Sequence, residues 1–104
     1  MINKKERLTR LDFKDLSKRN IIRDYLFDIS YIKSDKMKVS CIISKKTLKK
    51  AVERNKVKRK LYNLFELNRP KTPYIIIFYP KKETLYTPFN ELNIKMQEIF
   101  AKLK

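Results

Sequence analysis

The 104-residue sequence contains no histidine, no glycine and no tryptophan, and its only cysteine is Cys41. A single cysteine excludes an internal disulfide, and a chain without histidine cannot build the zinc sites that combine cysteine and histidine. The serine–histidine and cysteine–histidine pairs of nucleophilic catalysis are excluded as well. We therefore expect Cys41 to be a small buried hydrophobic residue rather than part of a chemical site.

Long hydrophobic runs are also missing. No apolar segment approaches the roughly 18 residues that cross a bilayer, and the charged residues 1–10 are not followed by the apolar region of a secretory signal. We therefore expect a cytoplasmic protein without a membrane partner. A protein that binds a membrane surface through its positive charge is an alternative, but it requires a helix with an exposed apolar face. The apolar stripe at residues 88–103 is better explained as core.

The remaining composition predicts one folded domain over residues 1–104, since 42% of the residues are hydrophobic and 12 are Phe or Tyr. Without glycine, Asn and Pro must supply the turns and helix ends. Periodicity predicts a short helix at 12–16 and strands at 25–32 and 39–44, and a continuous apolar run predicts a strand at 74–79. The absence of proline and the many good helix formers predict a long helix at 47–67. Thr87-Pro88 is typical of a helix start, and a further short strand is expected near Ile21 and Ile22.

This order predicts an α+β fold, a two-layer α/β sandwich in which helices cover a mostly antiparallel sheet. The polar turn at 34–36 predicts that the first two long strands form a hairpin. The continuous apolar run at 74–79 is typical of a strand covered on both faces. If that strand lies parallel to the one at 39–44, the long helix is a crossover connection, whose hand these patterns do not give.

The net charge of +16 is concentrated in one segment. Residues 45–60 hold nine cations against one anion, Glu53, and so half of the net charge. A solvated helix face usually interleaves acids with its bases, whereas cations that accumulate repel one another. The pattern therefore favours nucleic-acid binding over an ordinary solvated face, with phosphates as the compensating charge. Four of these cations would fall within an arc of about 100° on a helix: Lys49, Lys56, Arg59 and Lys60.

Other residues leave alternatives open. The sequence has no zinc-finger spacing, leucine heptad or helix-turn-helix pattern, so the usual readers of double-stranded DNA lack support. Aromatic side chains on a sheet could stack on single-stranded bases, although they pack more often in a core; the candidates are Phe13, Phe27 and Tyr31. Because Asp12 and Asp15 are the only close pair of acids in helical register, we expect no metal site and no independent hydrolysis by the protein.

One stretch of the sequence resembles a known family. Ser44-Lys45-Lys46, followed by A-V-E-R-N-K-V-K-R at residues 51–59, is similar to the S-K-K and A-V-x-R-N-R-x-K-R signature of the bacterial ribonuclease P protein component. Arg7-Leu8 with Asp12-Phe13 resembles the opening of that family, and Tyr74–Phe78 resembles one of its strands. Lys38-Val39 is similar to the start of its R-V-G-L-S-V strand. The chain departs from the family pattern at Ser40, where glycine is usual, and at Lys56 and Tyr62, where arginine is usual.

The resemblance implies a subunit of ribonuclease P, a ribonucleoprotein endoribonuclease whose large RNA performs catalysis, and it implies that the crossover is left-handed. The basic residues would lie against the catalytic RNA: Lys45, Lys46, Arg54, Asn55, Lys56, Lys58 and Arg59. A cleft lined by aromatics would hold the single-stranded 5′ leader of precursor tRNA, with Phe13, Phe27 and Tyr31 at the matching positions. The implied cofactor is Mg²⁺, held mainly by the RNA.

The expected partners are therefore ribonuclease P RNA and precursor tRNA, without a protein partner. In this interpretation the protein promotes Mg²⁺-dependent removal of the leader, which gives the mature tRNA 5′ end. The alternative is a general RNA-binding or ribosome-associated domain without a role in cleavage, because such a domain would share the same basic helix.

Overall fold

The computed structural model describes residues 19–103. The short helix predicted at 12–16 lies outside this range. Within it, no helix is long and apolar enough to cross a membrane. The described elements are β1 (Asn20–Ile22), β2 (Phe27–Lys33), β3 (Lys38–Cys41), α1 (Ala51–Leu67), β4 (Tyr74–Pro80), α2 (Glu83–Tyr86) and α3 (Phe89–Phe100).

The four strands form one sheet in the order β1-β2-β4-β3. β2 pairs antiparallel with both β1 and β4, so the predicted hairpin between β2 and β3 is wrong. The turn that follows β2 instead passes the start of β4, where the Ser34 amide donates to the Pro73 carbonyl over 3.2 Å. The physical reason is that β4, the most apolar strand, is buried on both faces and so occupies the interior of the sheet.

β3 runs parallel to β4, with Val39 opposite Ile76 and Cys41 opposite Phe78. Two adjacent parallel strands require a crossover, and α1 is the element between them. The predicted crossover helix is therefore confirmed, whereas its left hand stays a prediction from the resemblance. β1, β2 and β4 pair antiparallel in the sheet, and β3 pairs parallel with β4 at one edge. This mostly antiparallel sheet, together with its helices, confirms the predicted α+β fold.

The helix ends use the residues that a glycine-free chain has. α1 begins at Ala51, four residues later than predicted, and ends at Leu67. The next residue, Asn68, is the C-cap, and its side chain donates to the Leu64 carbonyl over 2.9 Å. The same amide group donates to Asn93 of α3 over 2.7 Å, so one residue both caps α1 and joins the two helices. Among the described residues, none has a positive φ, as expected where glycine is absent.

α3 begins one residue later than predicted. Its N-cap position is Pro88, whereas the Thr87 hydroxyl donates to the Glu83 carbonyl of α2. The short helix α2 is not among the sequence predictions, because four residues are too few to give a periodic signal.

The main core lies between one face of the sheet and the helices α1 and α3. α1 contributes Val57, Leu61, Leu64 and Phe65, and α3 contributes Leu92, Met96 and Ile99. The sheet contributes every second residue of its strands: Phe27, Ile29, Tyr31, Val39, Cys41, Tyr74, Ile76 and Phe78. This packing leaves the opposite side of α1 facing solvent.

Candidate nucleic-acid interface

A tight turn presents the first two candidate cations. The amides of Thr47 and Leu48 both donate to the Ser44 carbonyl, and the hydroxyls of Ser44 and Thr47 lie 3.0 Å apart. Leu48 is buried in the core and anchors the segment that leads into α1. Lys45 and Lys46, at the tip of the turn, are therefore exposed on a fixed backbone.

Arg54 has an internal role in this segment. One nitrogen of its guanidinium donates to the Leu48 carbonyl over 2.7 Å and to the Lys49 carbonyl over 2.8 Å. The side chain is half-buried, and it ties the residues before α1 to the first turn of that helix. Arg54 thus fixes the position of the lysine-bearing loop, a contribution that the sequence pattern does not reveal.

The exposed face of α1 is centred on four residues, Val52, Asn55, Lys56 and Arg59, which together line a shallow depression. At 100° per residue these positions lie on one side of the helix, opposite its buried residues. Val52, the first of the four along the helix, is 78% exposed although it is apolar. We call this surface the α1 face. It combines two cations, an amide and one apolar side chain.

Lys58 and Lys60 flank the α1 face rather than belong to it. Lys58 is half-buried on the side of the helix that faces β3, close enough to Cys41 to act on its thiol. Lys60 turns toward the other flank, where its Nζ lies 3.3 Å from the Leu85 carbonyl and 3.5 Å from the Thr87 carbonyl. Burial lowers the pKa of Lys60, and the nearby charge of Lys56 lowers it further. The basic surface is therefore narrower than the predicted 100° arc, since Lys49 precedes the helix and Lys60 is engaged by α2.

The predicted exposure of the strand aromatics is wrong. Phe27 has no exposed surface and Tyr31 is 5% exposed, because the core side of β2 carries both. Their rings pack edge to face against Phe78 and Tyr74 at centroid distances of 5.9 Å. In these positions neither ring offers a face to a nucleotide base. The third candidate, Phe13, lies outside the described residues.

The second face of the sheet carries the alternate residues of each strand. Ser30 and Ile77 lie opposite one another at its centre and are buried, whereas Tyr79 is half-buried beside Asp28. Among the described side chains, the Ser30 hydroxyl is buried without a hydrogen-bond partner. Lys38 and Ser40 of β3 extend this face toward the sheet edge. The sequence did contain a signal for it, because Ile75, Ile77 and Tyr79 alternate with the core residues of β4.

The described acids do not gather into a metal-binding group: within residues 19–103, no three Cys, Asp or Glu side chains come together. The acidic residues that form the ion pairs below contact cations that lie away from the α1 face. Asp24 pairs with Lys95, Asp28 with Lys81, and Glu66 with Arg69 at the far end of α1.

Comparison with known proteins identifies the protein family to which this chain belongs. The family model of ribonuclease P matches residues 2–104. No curated protein sequence matches the chain. The RNase P protein from Thermotoga maritima has a TM-score of 0.81 at 22% identity, over 95% of this chain and 98% of its own. The RNase P protein from Staphylococcus aureus has a TM-score of 0.76 at 20% identity, over 93% and 95% of the two chains. At these identities the structural likeness shows a common fold.

Proposed function

Because the chain belongs to the ribonuclease P protein family, and is thus a component of a ribonucleoprotein endoribonuclease of tRNA processing, we propose that it binds the catalytic RNA and the 5′ leader of precursor tRNA. In this proposal the protein promotes Mg²⁺-dependent cleavage and the RNA carries out the chemistry. Family membership implies the ribonuclease P RNA as partner. The residue contacts with that RNA, the binding of the precursor leader and the use of Mg²⁺ are the parts that we propose.

The observation that carries the proposal is the charge on the α1 face and its adjoining loop. Lys45, Lys46, Lys56 and Arg59 are exposed on one stretch of chain, while the ion pairs that the structure describes lie elsewhere. Lys56 already depresses the pKa of its neighbour Lys60, although burial of Lys60 has the larger effect. Uncompensated cations are costly in the free protein, and RNA phosphates would relieve the repulsion.

The residue types suggest a division of roles. The lysines neutralise phosphates as point charges, and the planar guanidinium of Arg59 can grip a phosphate through two parallel hydrogen bonds. Asn55 adds a donor and an acceptor that can contact a sugar or a base edge. Arg54 acts indirectly, since its guanidinium already holds the carbonyls before α1.

We assign the leader to the second face of the sheet rather than to Phe27 and Tyr31. Tyr79 is a half-buried aromatic on this face, and Lys38 of the neighbouring strand lies opposite Ile75, four residues along β4 from Tyr79. Four residues of a strand span about 13 Å, so the ring and the cation would contact successive nucleotides of the leader. Rings that stack on unpaired bases, with cations along the groove for the phosphates, are the usual way that proteins hold single strands. The assignment follows from the register, which turns the odd-numbered residues of β2 into the core.

Magnesium fits the RNA better than the described part of the protein in this proposal. RNA phosphates supply the oxygen ligands that Mg²⁺ prefers, whereas a protein site for it needs carboxylates that converge. When bound, the metal supplies an activated water and stabilises charge at the scissile phosphate. The protein's own residues bind and orient the two RNAs.

The test is cleavage of a 5′-labelled precursor tRNA by a bacterial ribonuclease P RNA at limiting Mg²⁺, with and without the protein. We expect stimulation only when the protein and the RNA are both present. Cleavage by the protein alone would mean that it has an active site of its own. Absence of stimulation with a cognate RNA would favour the general RNA-binding domain.

A pair of arginine variants tests the α1 face directly. Arg59→Ala should weaken binding to the ribonuclease P RNA by about 1.5–3 kcal/mol if the guanidinium makes a charge-assisted contact. Arg69→Ala is the matched control, because Arg69 is exposed near the other end of α1 and pairs with Glu66. Equal affinities of the two variants would remove Arg59 from the interface.

Leader binding is tested separately with Tyr79→Ala. The variant should reduce the preference of the holoenzyme for precursor tRNA over leaderless tRNA, since stacking contributes about 1–3 kcal/mol per base. An unchanged preference would exclude Tyr79 from leader binding while leaving the contact to the catalytic RNA intact.

A further inference from the structure

A second depression lies beside the α1 face and does not share any residue with it. It is lined by the loop before α1, the first turn of α1 and the short helix α2, and we call it the α1–α2 depression. Its charged and aromatic residues are Lys46, Lys49, Lys50, Glu53, Lys82 and Tyr86. Only Lys46 of this set belongs to the interface proposed above.

The charge of this depression is strongly positive. Four lysines from two separate chain segments line it together with one carboxylate, that of Glu53, which leaves a net charge of +3. Lys82 lies 32 residues beyond Lys50 in sequence, so only the fold brings the two together. Such a concentration of cations in a concave surface favours an anionic ligand.

Tyr86 adds a feature that a simple anion would not need. Its side chain is 71% exposed although it is large and aromatic, and it lines the depression together with the lysines. An exposed ring beside several cations is the combination that binds a nucleotide, because the ring stacks on the base while the cations hold the phosphate.

The helix that carries Tyr86 is firmly attached to the rest of the fold. Thr84, two residues earlier, is buried and its hydroxyl donates to the Leu26 carbonyl, and the Lys81 amide donates to the same carbonyl over 2.9 Å. On the other side Lys60 of α1 donates to the Leu85 and Thr87 carbonyls. The ring is thus presented on a fixed backbone, which limits the entropy lost when a base stacks on it.

We propose that the α1–α2 depression binds one unpaired nucleotide of an RNA partner, with its base stacked on Tyr86 and its phosphate held by Lys49, Lys50 and Lys82. This inference rests on the proposed function and extends it. The depression flanks the α1 face on the side of α2, so one RNA strand can contact both surfaces.

The experiment measures the affinity of the 104-residue chain for a cognate ribonuclease P RNA, alone and then with precursor tRNA added. Tyr86→Ala should weaken binding about 5- to 150-fold, the range that corresponds to stacking of one base. Tyr86→Phe should bind like the unaltered protein, because stacking requires the ring and not the hydroxyl. An effect seen with the catalytic RNA alone assigns the nucleotide to that RNA, and one that requires precursor tRNA assigns it to the substrate.

Two further variants separate stacking from charge and from general damage. Lys82→Ala should lower the slope of log affinity against log salt by about 0.7 for a single-stranded contact, whereas Tyr86→Ala should leave the slope unchanged. Tyr25→Ala is the matched control, because Tyr25 is 66% exposed and lies outside the depression. Chemical probing of the bound RNA should show one unpaired nucleotide that becomes reactive only with Tyr86→Ala.

The outcomes distinguish this inference from the proposed function. If the unaltered protein neither binds ribonuclease P RNA nor stimulates cleavage, the proposed function is wrong. If it does both while Tyr86→Ala and Lys82→Ala bind as it does, the proposed function stands and only the α1–α2 depression is excluded. If Tyr86→Phe is as weak as Tyr86→Ala, the base does not stack on the ring and the inference is overturned.

Discussion

Two arginines of α1 illustrate how the same residue type serves different purposes. Arg54 points back along the chain and donates to two carbonyls of the preceding loop, whereas Arg59 is exposed on the α1 face. The sequence motif contains both arginines and does not distinguish their roles. Their environments predict that Arg54 stabilises the free protein and that Arg59 acts on the bound RNA.

This difference gives a prediction for the protein without RNA. Arg54→Ala should lower the free energy of unfolding by about 1–3 kcal/mol, because two backbone carbonyls lose a charged donor. Arg59→Ala should change it by less than about 0.5 kcal/mol, as is usual for an exposed substitution. Urea denaturation followed by circular dichroism measures both, and equal midpoints for the two variants would contradict the assignment.

Cys41 is the other residue whose environment gives a measurable property. It lies in the core, as the sequence predicts, and burial raises the pKa of its thiol to about 12, with the nearby charge of Lys58 opposing the shift in part. The unfolded chain has a thiol pKa near 9, so above that pH the unfolded state loses a proton that the folded state keeps. Rising pH therefore favours unfolding.

The prediction compares the unaltered protein with Cys41→Ala between pH 8 and pH 10. The unaltered protein should lose about 1 kcal/mol of unfolding free energy more than the variant, because only it carries the thiol. The difference between the two cancels the titration of lysine and tyrosine, which they share. Parallel stability curves over this range would show that the thiol is not buried in solution.

Among the elements, β4 determines most of the architecture. It lies between β2 and β3, and its residues Ile76, Ile77 and Phe78 are buried in succession, so both faces of the strand are covered at its centre. The pattern of the run predicted this burial correctly. The position of the strand in the sheet did not follow from the pattern, because nothing local distinguishes pairing of β2 with β4 from pairing of β2 with β3.

Neighbouring isoleucines of β4 test the orientation of the strand. Ile76→Ala should lower the free energy of unfolding by about 2–5 kcal/mol, because Ile76 is fully buried between Tyr31 and Val39. Ile75→Ala should cost clearly less, since this side chain is half-buried on the second face. Thermal or urea unfolding gives both values, and a reversed order would mean that the register differs by one residue.

For the molecule as a whole, repulsion between its positive charges lowers the stability of the folded state, whereas packing of the core raises it. The chain carries +16 on 104 residues, and half of that charge lies in residues 45–60. Self-repulsion of this size destabilises the folded state, and an RNA partner that neutralises it both binds and stabilises. The basic surface thus makes the free protein sensitive to ionic strength.

Salt dependence provides the corresponding measurement. Affinity for ribonuclease P RNA should fall linearly on a plot of log affinity against log salt, and the double variant with Lys56→Ala and Arg59→Ala should have a slope lower by about 1.4–1.8. A double variant of Lys95 and Arg69 is the control, because these cations pair with acids away from the α1 face. Identical slopes for both double variants would mean that the α1 face does not contact phosphate.

Features that depend on local order along the chain are predictable from the amino-acid sequence alone. Periodicity was sufficient for β2 and the buried side of α3, the continuous apolar run for β4, and the content of helix-forming residues for the long helix. The count of cations in residues 45–60 was sufficient to locate the basic helix. The motif at residues 44–59 led to the family that the comparison confirms. These signals are local because side-chain spacing and charge are read within a few turns of one element.

Features that depend on which elements pack together follow only from the folded structure. It inserted β4 between β2 and β3, buried Phe27 and Tyr31, engaged Arg54 and Lys60 with backbone carbonyls, and brought Lys82 and Tyr86 beside Lys49 and Lys50. A strand pattern contains two faces, and only packing against the helices selects the one that is buried. Apolar burial depends on the area that the whole folded chain removes from water. The pairing of distant elements therefore cannot be inferred from any single segment.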